Sequence, residues 1–248
     1  MWAADFGQQA VFSQQTLKSK TQPDGSPLLD WAEYLAGVAW ALSENSLAVK
    51  GLCAVFSSDV PRGAGLSSSA SVELAFATAW KTLGGWQTSP MELALLSQRA
   101  ENKYVGVNCG IMDQFASACG EKDRLLLLDC RSLKYQTLPL PESVVIIIAD
   151  TSVRHSHTTD AYNDRRAACE EAVRILKRDL SGVKSLRDVS IADLDQLSLK
   201  LPVEVGKRAR HVVEEIDRTQ RAVKLLERRD IEGFGGLMNE CHASLRDL

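Results

Sequence analysis

Pro61-Arg62-Gly63-Ala64-Gly65-Leu66-Ser67-Ser68-Ser69-Ala70-Ser71 is the stretch on which the fold turns. Behind it, Val72, Ala75, Phe76, Ala79, Trp80 and Leu83 recur at i, i+3, i+4, i+7, i+8 and i+11, which predicts one apolar face of a helix. Ahead of it, residues 47–56 are rich in β-forming residues and read as a strand. The order is strand, glycine loop, serine run, helix. Gly63 and Gly65 permit backbone conformations and close approaches that a side chain forbids. Free N–H groups at the start of the following helix attract an anion, and the helix dipole adds to that. The hydroxyls of Ser67, Ser68, Ser69 and Ser71 supply further donors to phosphate and oxygen ligands for Mg²⁺. No Gly-Lys-Ser/Thr follows, so this is not a Walker loop, and Ser68 stands at the third glycine of a dinucleotide fingerprint. Taken alone, the pattern also fits a Gly/Ser turn capping an ordinary helix.

Upstream, residues 22–27 form a Pro/Gly/Ser loop cluster. Trp31, Tyr34, Leu35, Val38 and Leu42 predict an amphipathic helix over residues 31–42, and residues 1–20 are mildly helical in composition. Downstream, Ser89-Pro90-Met91-Glu92 is a capping box with Pro at the first helical position, opening a helix to about residue 104. An irregular stretch, 105–110, precedes a helix over 111–118 with Asp113 near its start. Residues 124–129 and 144–150 are short apolar runs that read as strands. Helices are predicted over 158–180, over a long segment marked by Val205, Ala209, Val212, Val213, Ile216, Val223 and Leu226, and over 231–248. Strands interleaved with helices in this order predict an α+β protein in two layers. The weakest point for a domain boundary is 134–143, which holds Pro139 and Pro141.

Lys plus Arg number 29 against 32 Asp plus Glu, a net charge of −3, so no nucleic-acid partner is expected. The balance of 45% hydrophobic and 25% charged residues excludes a disordered or fibrous chain. The longest apolar run, 144–149, is far too short to span a bilayer, so no membrane partner is expected. The N-terminus shows no basic segment followed by an apolar one. Six cysteines without a CxxC pair predict free thiols and a cytoplasmic location.

Two further segments carry candidate chemistry. Glu101, late in a helix, and Asp113, just past a glycine-containing loop, are a pair able to divide metal binding from proton abstraction. They read equally as a surface glutamate and an aspartate suited to a helix N-terminus. Residues 151–166 form a polar segment after an apolar run, a natural ligand-facing position. Its His155 and His157 have no Cys or third His nearby, so zinc is not expected.

Together these segments resemble the GHMP small-molecule kinases. Residues 61–71 look like their phosphate-binding motif. Asn108-Cys109-Gly110-Ile111-Met112-Asp113-Gln114-Phe115 is similar to the segment that carries the catalytic aspartate of galactokinases. Val153-Arg154-His155-Ser156, Tyr162-Asn163-Asp164-Arg165-Arg166 and residues 238–248 are galactokinase-like too. The resemblance runs from about residue 28 to the end. It implies a two-lobed α+β fold, with a two-layer N-terminal lobe over 1–142 and a ferredoxin-like C-terminal lobe over 143–248. It implies ATP and Mg²⁺, and transfer of the γ-phosphoryl group to the C1 hydroxyl of galactose. Asp113 takes the place of the general base and contacts the sugar. Glu101 and Ser68 match metal-binding positions. Gly63, Ala64, Gly65, Leu66, Ser67, Ser68, Ser69, Ala70 and Ser71 form the phosphate cradle. Trp31 matches the adenine-side aromatic and Tyr162 the galactose-contacting tyrosine.

The departures are as specific. Galactokinases carry an earlier motif, Gly-Arg followed by Gly-Glu-His-Thr-Asp-Tyr, which supplies sugar-binding carboxylates and an Arg beside the catalytic Asp. The sequence opens downstream of it and stops before the family's closing Gly-Gly-Gly-Phe-Gly-Gly-like motif. Gly233-Phe234-Gly235-Gly236 precedes Met238-Asn239-Glu240 and reads as a helical turn. On this reading the isolated chain is expected to be a weak enzyme or none, and a monomer or weakly self-associating. The alternatives are a sister kinase acting on N-acetylgalactosamine or arabinose, and a non-catalytic galactose sensor, against which the intact serine run argues.

Overall fold

Ala32, Leu35, Ala36, Val38, Ala39, Ala41 and Leu42 fall on one broad face of a helix, and all are at most 1% exposed. The computed structural model, which describes residues 1–149 and 158–247, builds its first compact unit, within Met1–Leu140, around this helix. The unit opens with two-residue strands β1 (Trp2–Ala3) and β2 (Gln8–Gln9), then α1 (Asp30–Glu44) and β3 (Val55–Phe56). The helices α2 (Ser68–Gly84), α3 (Pro90–Ala100) and α4 (Met112–Cys119) follow, then the hairpin β4 (Arg124–Leu128) and β5 (Tyr135–Pro139). α1 packs on α2 and α3, and α4 packs on α2 and α3. Aromatic side chains extend this core as a ladder, Trp31 to Phe56 to Phe76 to Trp80, with centroids 5.3–5.8 Å apart.

The strands are sparser than the sequence predicts. Of the strand expected over 47–56, only Val55 and Phe56 pair, in parallel with Trp2 and Ala3. The cause is the partnering of the preceding carbonyls: Lys50 O accepts from the Trp80 indole and Ala48 O from the Trp86 indole, each at 3.1 Å. Residues 1–20 form no α-helix and hold only one short 3-10 turn, Ala4–Phe6. β1 and β2 form an antiparallel pair, Trp2 opposite Gln9 and Ala3 opposite Gln8, closed through Gly7 at φ +60°. The stretch 134–143, read as the weakest point for a domain boundary, contains β5, which pairs with β4 from Leu128 opposite Tyr135 to Arg124 opposite Pro139, and also Leu140, where the long segment of the first compact unit ends. Proline is tolerated there because it ends the strand.

Residues 144–149 form no strand among the described residues. Val145, Ile146, Ile147 and Ile148 are 60–86% exposed. β-propensity needs a ladder partner to take effect, and no described residue pairs with them.

In α2 the buried residues are Ala70, Glu73, Leu74, Phe76, Ala77 and Trp80. The predicted face is rotated, since Ala75 is exposed and Leu83 is 42% exposed. Packing on three helices at once buries more than one narrow stripe.

The second unit carries α5 (Thr158–Leu176), α6 (Ile191–Leu197), α7 (Val203–Glu227) and α8 (Ile231–Asp247). Ala172, Leu176, Val183, Leu186, Leu194, Ala209 and Val213 make its core. Gly233–Gly236 lie inside α8, as the helical-turn reading expects. Arg218, 7% exposed, is clasped by Glu214 and Glu215 of its own helix and faces Glu240 of α8. None of the six cysteines is in a disulfide. No helix of the described residues is long and apolar enough to cross a membrane.

Candidate active site

The glycine loop turns sharply into α2. Gly63 and Gly65 adopt φ +66° and +75°, the left-handed region that glycine enters without steric cost. Ser67 joins them at φ +57°, an uncommon conformation for a residue with a side chain. Ser67 is the N-cap of α2 and gives it no side-chain cap bond. The first helical hydrogen bond runs from Ser71 N to Ser67 O at 3.0 Å. The N–H groups ahead of Ser71 therefore lie outside the helical ladder, the arrangement that receives anions. Ser67, Ser68, Ser69 and Ser71 are half-buried, as are Ala64 and Leu66, and Ala70 is fully buried.

α3 is started by the predicted capping box: Ser89 Oγ accepts from Glu92 N at 3.2 Å, and Glu92 accepts from Ser89 N at 2.7 Å. The helix does not run on to residue 104 in α form. At Glu101 it widens into a single π turn, Glu101–Val105, which Gly106 closes at φ +101°. π turns recur at functional sites because they re-aim one side chain without ending the helix. Here the re-aimed side chain is Glu101, only 6% exposed, so the surface reading of this residue does not hold. The Gln114 amide donates to its carboxylate, the Ser69 hydroxyl and the Cys109 thiol lie beside it, and the thiol donates to Asn102 Oδ1 at 3.3 Å.

These partners are neutral. Burial first, and the nearby Asp113 carboxylate second, push Glu101 above the ordinary carboxylate range. No ion pair compensates it among the described residues. A buried, uncompensated carboxylate beside serine hydroxyls is a hard oxygen donor set lacking a positive charge, which fits Mg²⁺. That ion commonly takes one or two carboxylates and completes its shell with phosphates and water. Among the described residues no cluster of three or more His, Cys, Asp or Glu forms a metal cage.

Asp113 stands in the first turn of α4 and is exposed, while its neighbour Gln114 is completely buried. The structure thus brings Ser69, Glu101 and Asp113 together at the N-terminal end of α2. Trp31 is half-buried; its indole donates to Gln8 Oε1 at 3.0 Å and stacks on Phe6 at 6.2 Å. The Arg62 guanidinium lies 4.1 Å over the other ring of that stack, Phe6, so Trp31 reaches the leading edge of the glycine loop through one side chain. Tyr162 lies in α5, with its side chain outside the described residues, as are His155 and His157.

Sequence reasoning passed over Glu73, Gln114 and Tyr34. Glu73 is 0% exposed, and burial, then the charge of Glu101, pushes its carboxyl up to about 9. Tyr34 on α1 is pushed up to about 12, by burial first and then by Glu101 and Glu73. A signal for Glu73 exists: it sits at i+3 from Ala70 and i−4 and i−7 from Ala77 and Trp80, inside the buried stripe.

A glycine loop feeding an unsatisfied helix end, with a buried glutamate and an exposed aspartate beside it, is an arrangement able to receive a phosphate group. Residues 33–121 match the family described as GHMP kinases N terminal domain. Over 99% of its length the chain is 43% identical to a galactokinase of Roseiflexus sp., strain RS-1, of which it covers 61%. It is 45% identical over 88% of its length to a galactokinase of Chloroflexus aggregans, covering 56% of that protein. In structure it is similar to the Lactococcus lactis galactokinase crystallised with galactose. The TM-score is 0.78 and the identity 31%, over 95% of this chain and 63% of that one. The chain therefore has the α+β GHMP kinase fold and spans about 56–61% of the curated relatives it matches.

Proposed function

We propose that the chain is the ATP- and sugar-handling part of a galactokinase, transferring the γ-phosphoryl group of ATP to the C1 hydroxyl of galactose. The observation that carries this is the meeting of Ser69, Glu101 and Asp113 at the open end of α2. The backbone N–H groups of the loop from Gly63 to Ser71 hold phosphate oxygens, and the serine hydroxyls add donors. Trp31 borders the adenine side, and Tyr162 keeps the sugar-contacting role that the resemblance implies. Glu101 and Ser68 would hold Mg²⁺, whose contribution when bound is to neutralise phosphate charge.

Asp113 is exposed, so it is free to meet an incoming hydroxyl. It accepts the proton of the C1 hydroxyl as that oxygen bonds to the γ-phosphorus and the bond from phosphorus to the β–γ bridging oxygen breaks. Phosphoryl transfer asks mainly for positioning and charge stabilisation, which this site supplies. The same reading assigns the chain to the cytoplasm as a monomer or a weakly associating species.

A coupled ADP-release assay with MgATP tests it. Galactose is expected to stimulate ADP release, and N-acetylgalactosamine and arabinose to stimulate it less. ADP release indifferent to galactose would overturn the proposal.

A further inference from the structure

Glu73, Gln114 and Glu101 form a buried chain of which the proposed chemistry uses only Glu101. The Gln114 amide nitrogen donates to Glu73 Oε2 at 3.3 Å and also to Glu101 Oε2. Glu73 and Gln114 are 0% exposed and Glu101 is 6% exposed. The three come from three elements: α2, α4 and the π turn. Glu73 Oε1 and Gln114 Oε1 have no hydrogen-bond partner among the described residues. A buried carboxyl without a counter-cation is a costly thing to place among Ala70, Leu74 and Ala77. A leucine would fill that stripe without the cost, so packing alone does not account for a glutamate here.

We propose that Glu73 is a positioning residue that, through the Gln114 amide, fixes the Glu101 carboxylate and the first turn of α4. One amide nitrogen has two hydrogens. Given to two carboxyl groups, they hold Gln114 in one rotamer, and Gln114 adjoins Asp113 in the chain. The clamp therefore sets both acidic groups of the site from behind. This rests on the kinase reading only for what Glu101 and Asp113 do; the clamp itself is a statement about geometry.

Three variants of the 248-residue chain test it: Glu73→Met, which keeps the volume and cannot accept a hydrogen bond; Glu73→Gln, which keeps an acceptor; and the double variant Glu73→Met with Gln114→Met. Two readouts are taken: ATP affinity by calorimetry with and without Mg²⁺, and hydrogen exchange of residues 101–119. Glu73→Met is expected to cut the Mg²⁺ enhancement of ATP affinity at least tenfold, leave metal-free affinity within twofold, and speed exchange across 101–119. Glu73→Gln is expected to restore both readouts to within threefold of the parent. Equal Mg²⁺ enhancement and equal exchange in Glu73→Met and the parent would overturn the proposal, and so would Glu73→Gln failing as badly as Glu73→Met. Should the parent show no Mg²⁺-dependent ATP binding, the kinase reading fails, and exchange alone decides the clamp by the same comparison. Should Glu73→Met not fold, the double variant, which removes both members of the Glu73–Gln114 bond and with them the Gln114 donor to Glu101, decides it. Exchange across 101–119 faster than in the parent supports the clamp, and parent-like exchange overturns it.

Discussion

Gly65 sits at φ +75° with nothing within 4 Å of where a Cβ would stand. Space is therefore not the obstacle to a side chain there; backbone conformation is, and a β-branched residue bears it worst. Gly65→Val should pull the loop from its course and weaken ATP binding at least about tenfold, while the far-ultraviolet circular dichroism stays native. Calorimetry giving an unchanged ATP affinity would remove the loop from the nucleotide site. Glu73 yields a prediction of a different kind. Its carboxyl titrates near 4.5 when unfolded and is raised to about 9 in the fold, because burial and the charge of Glu101 favour the neutral acid. Between those values the folded chain keeps a proton that the unfolded chain has released. The associated stability is fully present below about 4.5 and is lost as pH rises through about 9. The slope is at most about 1.4 kcal/mol per pH unit. Glu73→Gln lacks this titration, so its melting temperature should gain on the parent's as pH goes from 5 to 9. A constant difference across that range would mean Glu73 is ionised in the fold.

At the scale of elements, the capping box of α3 is the plainest case. Ser89 and Glu92 exchange hydrogen bonds across the first turn, and Pro90 opens the helix. Ser89→Ala should cost about 1 kcal/mol, seen as a lower denaturation midpoint with unchanged slope. A midpoint within error of the parent's would show the cap to be redundant. This start was legible because caps are local chemistry. So were α1, α2, α4 and α7, whose apolar spacing is a property of the segment itself. What was not legible depends on partners. Residues 47–56 have strand composition, yet indole donors from Trp80 and Trp86 occupy carbonyls that a ladder would use. The run 144–149 reads as a strand and has no described partner, whereas 135–139, polar in its first half, pairs along its whole length. The same logic applies to the site. Gly63, Gly65 and the serines announce themselves in sequence, because their function is backbone freedom and hydroxyl density. Glu101 stayed ambiguous because its burial comes from the π turn, which no local pattern encodes. Glu73 stayed hidden because a glutamate inside an apolar stripe is ordinarily read as solvent-facing.

For the whole molecule, the chain divides into a first unit that holds Ser69, Glu101 and Asp113 and a second, helix-rich unit that holds Tyr162. The first unit's core depends on large buried side chains, of which Trp80 at 1% exposure is the bulkiest. Trp80→Ala should cost about 3–5 kcal/mol and lower the melting temperature accordingly. A shift equivalent to less than about 1 kcal/mol, in the range of surface substitutions, would mean that the aromatic ladder does not bear on stability. The central claim is that Asp113 takes the proton of a sugar hydroxyl while phosphate is held at the end of α2. A single-turnover experiment, with the chain in excess over radiolabelled ATP and galactose saturating, tests it most directly by following galactose 1-phosphate. The account predicts that the parent forms this product and that Asp113→Ala slows its formation by about 10²–10⁴-fold, with ATP affinity unchanged. Product formed by Asp113→Ala within threefold of the parent's rate would contradict it.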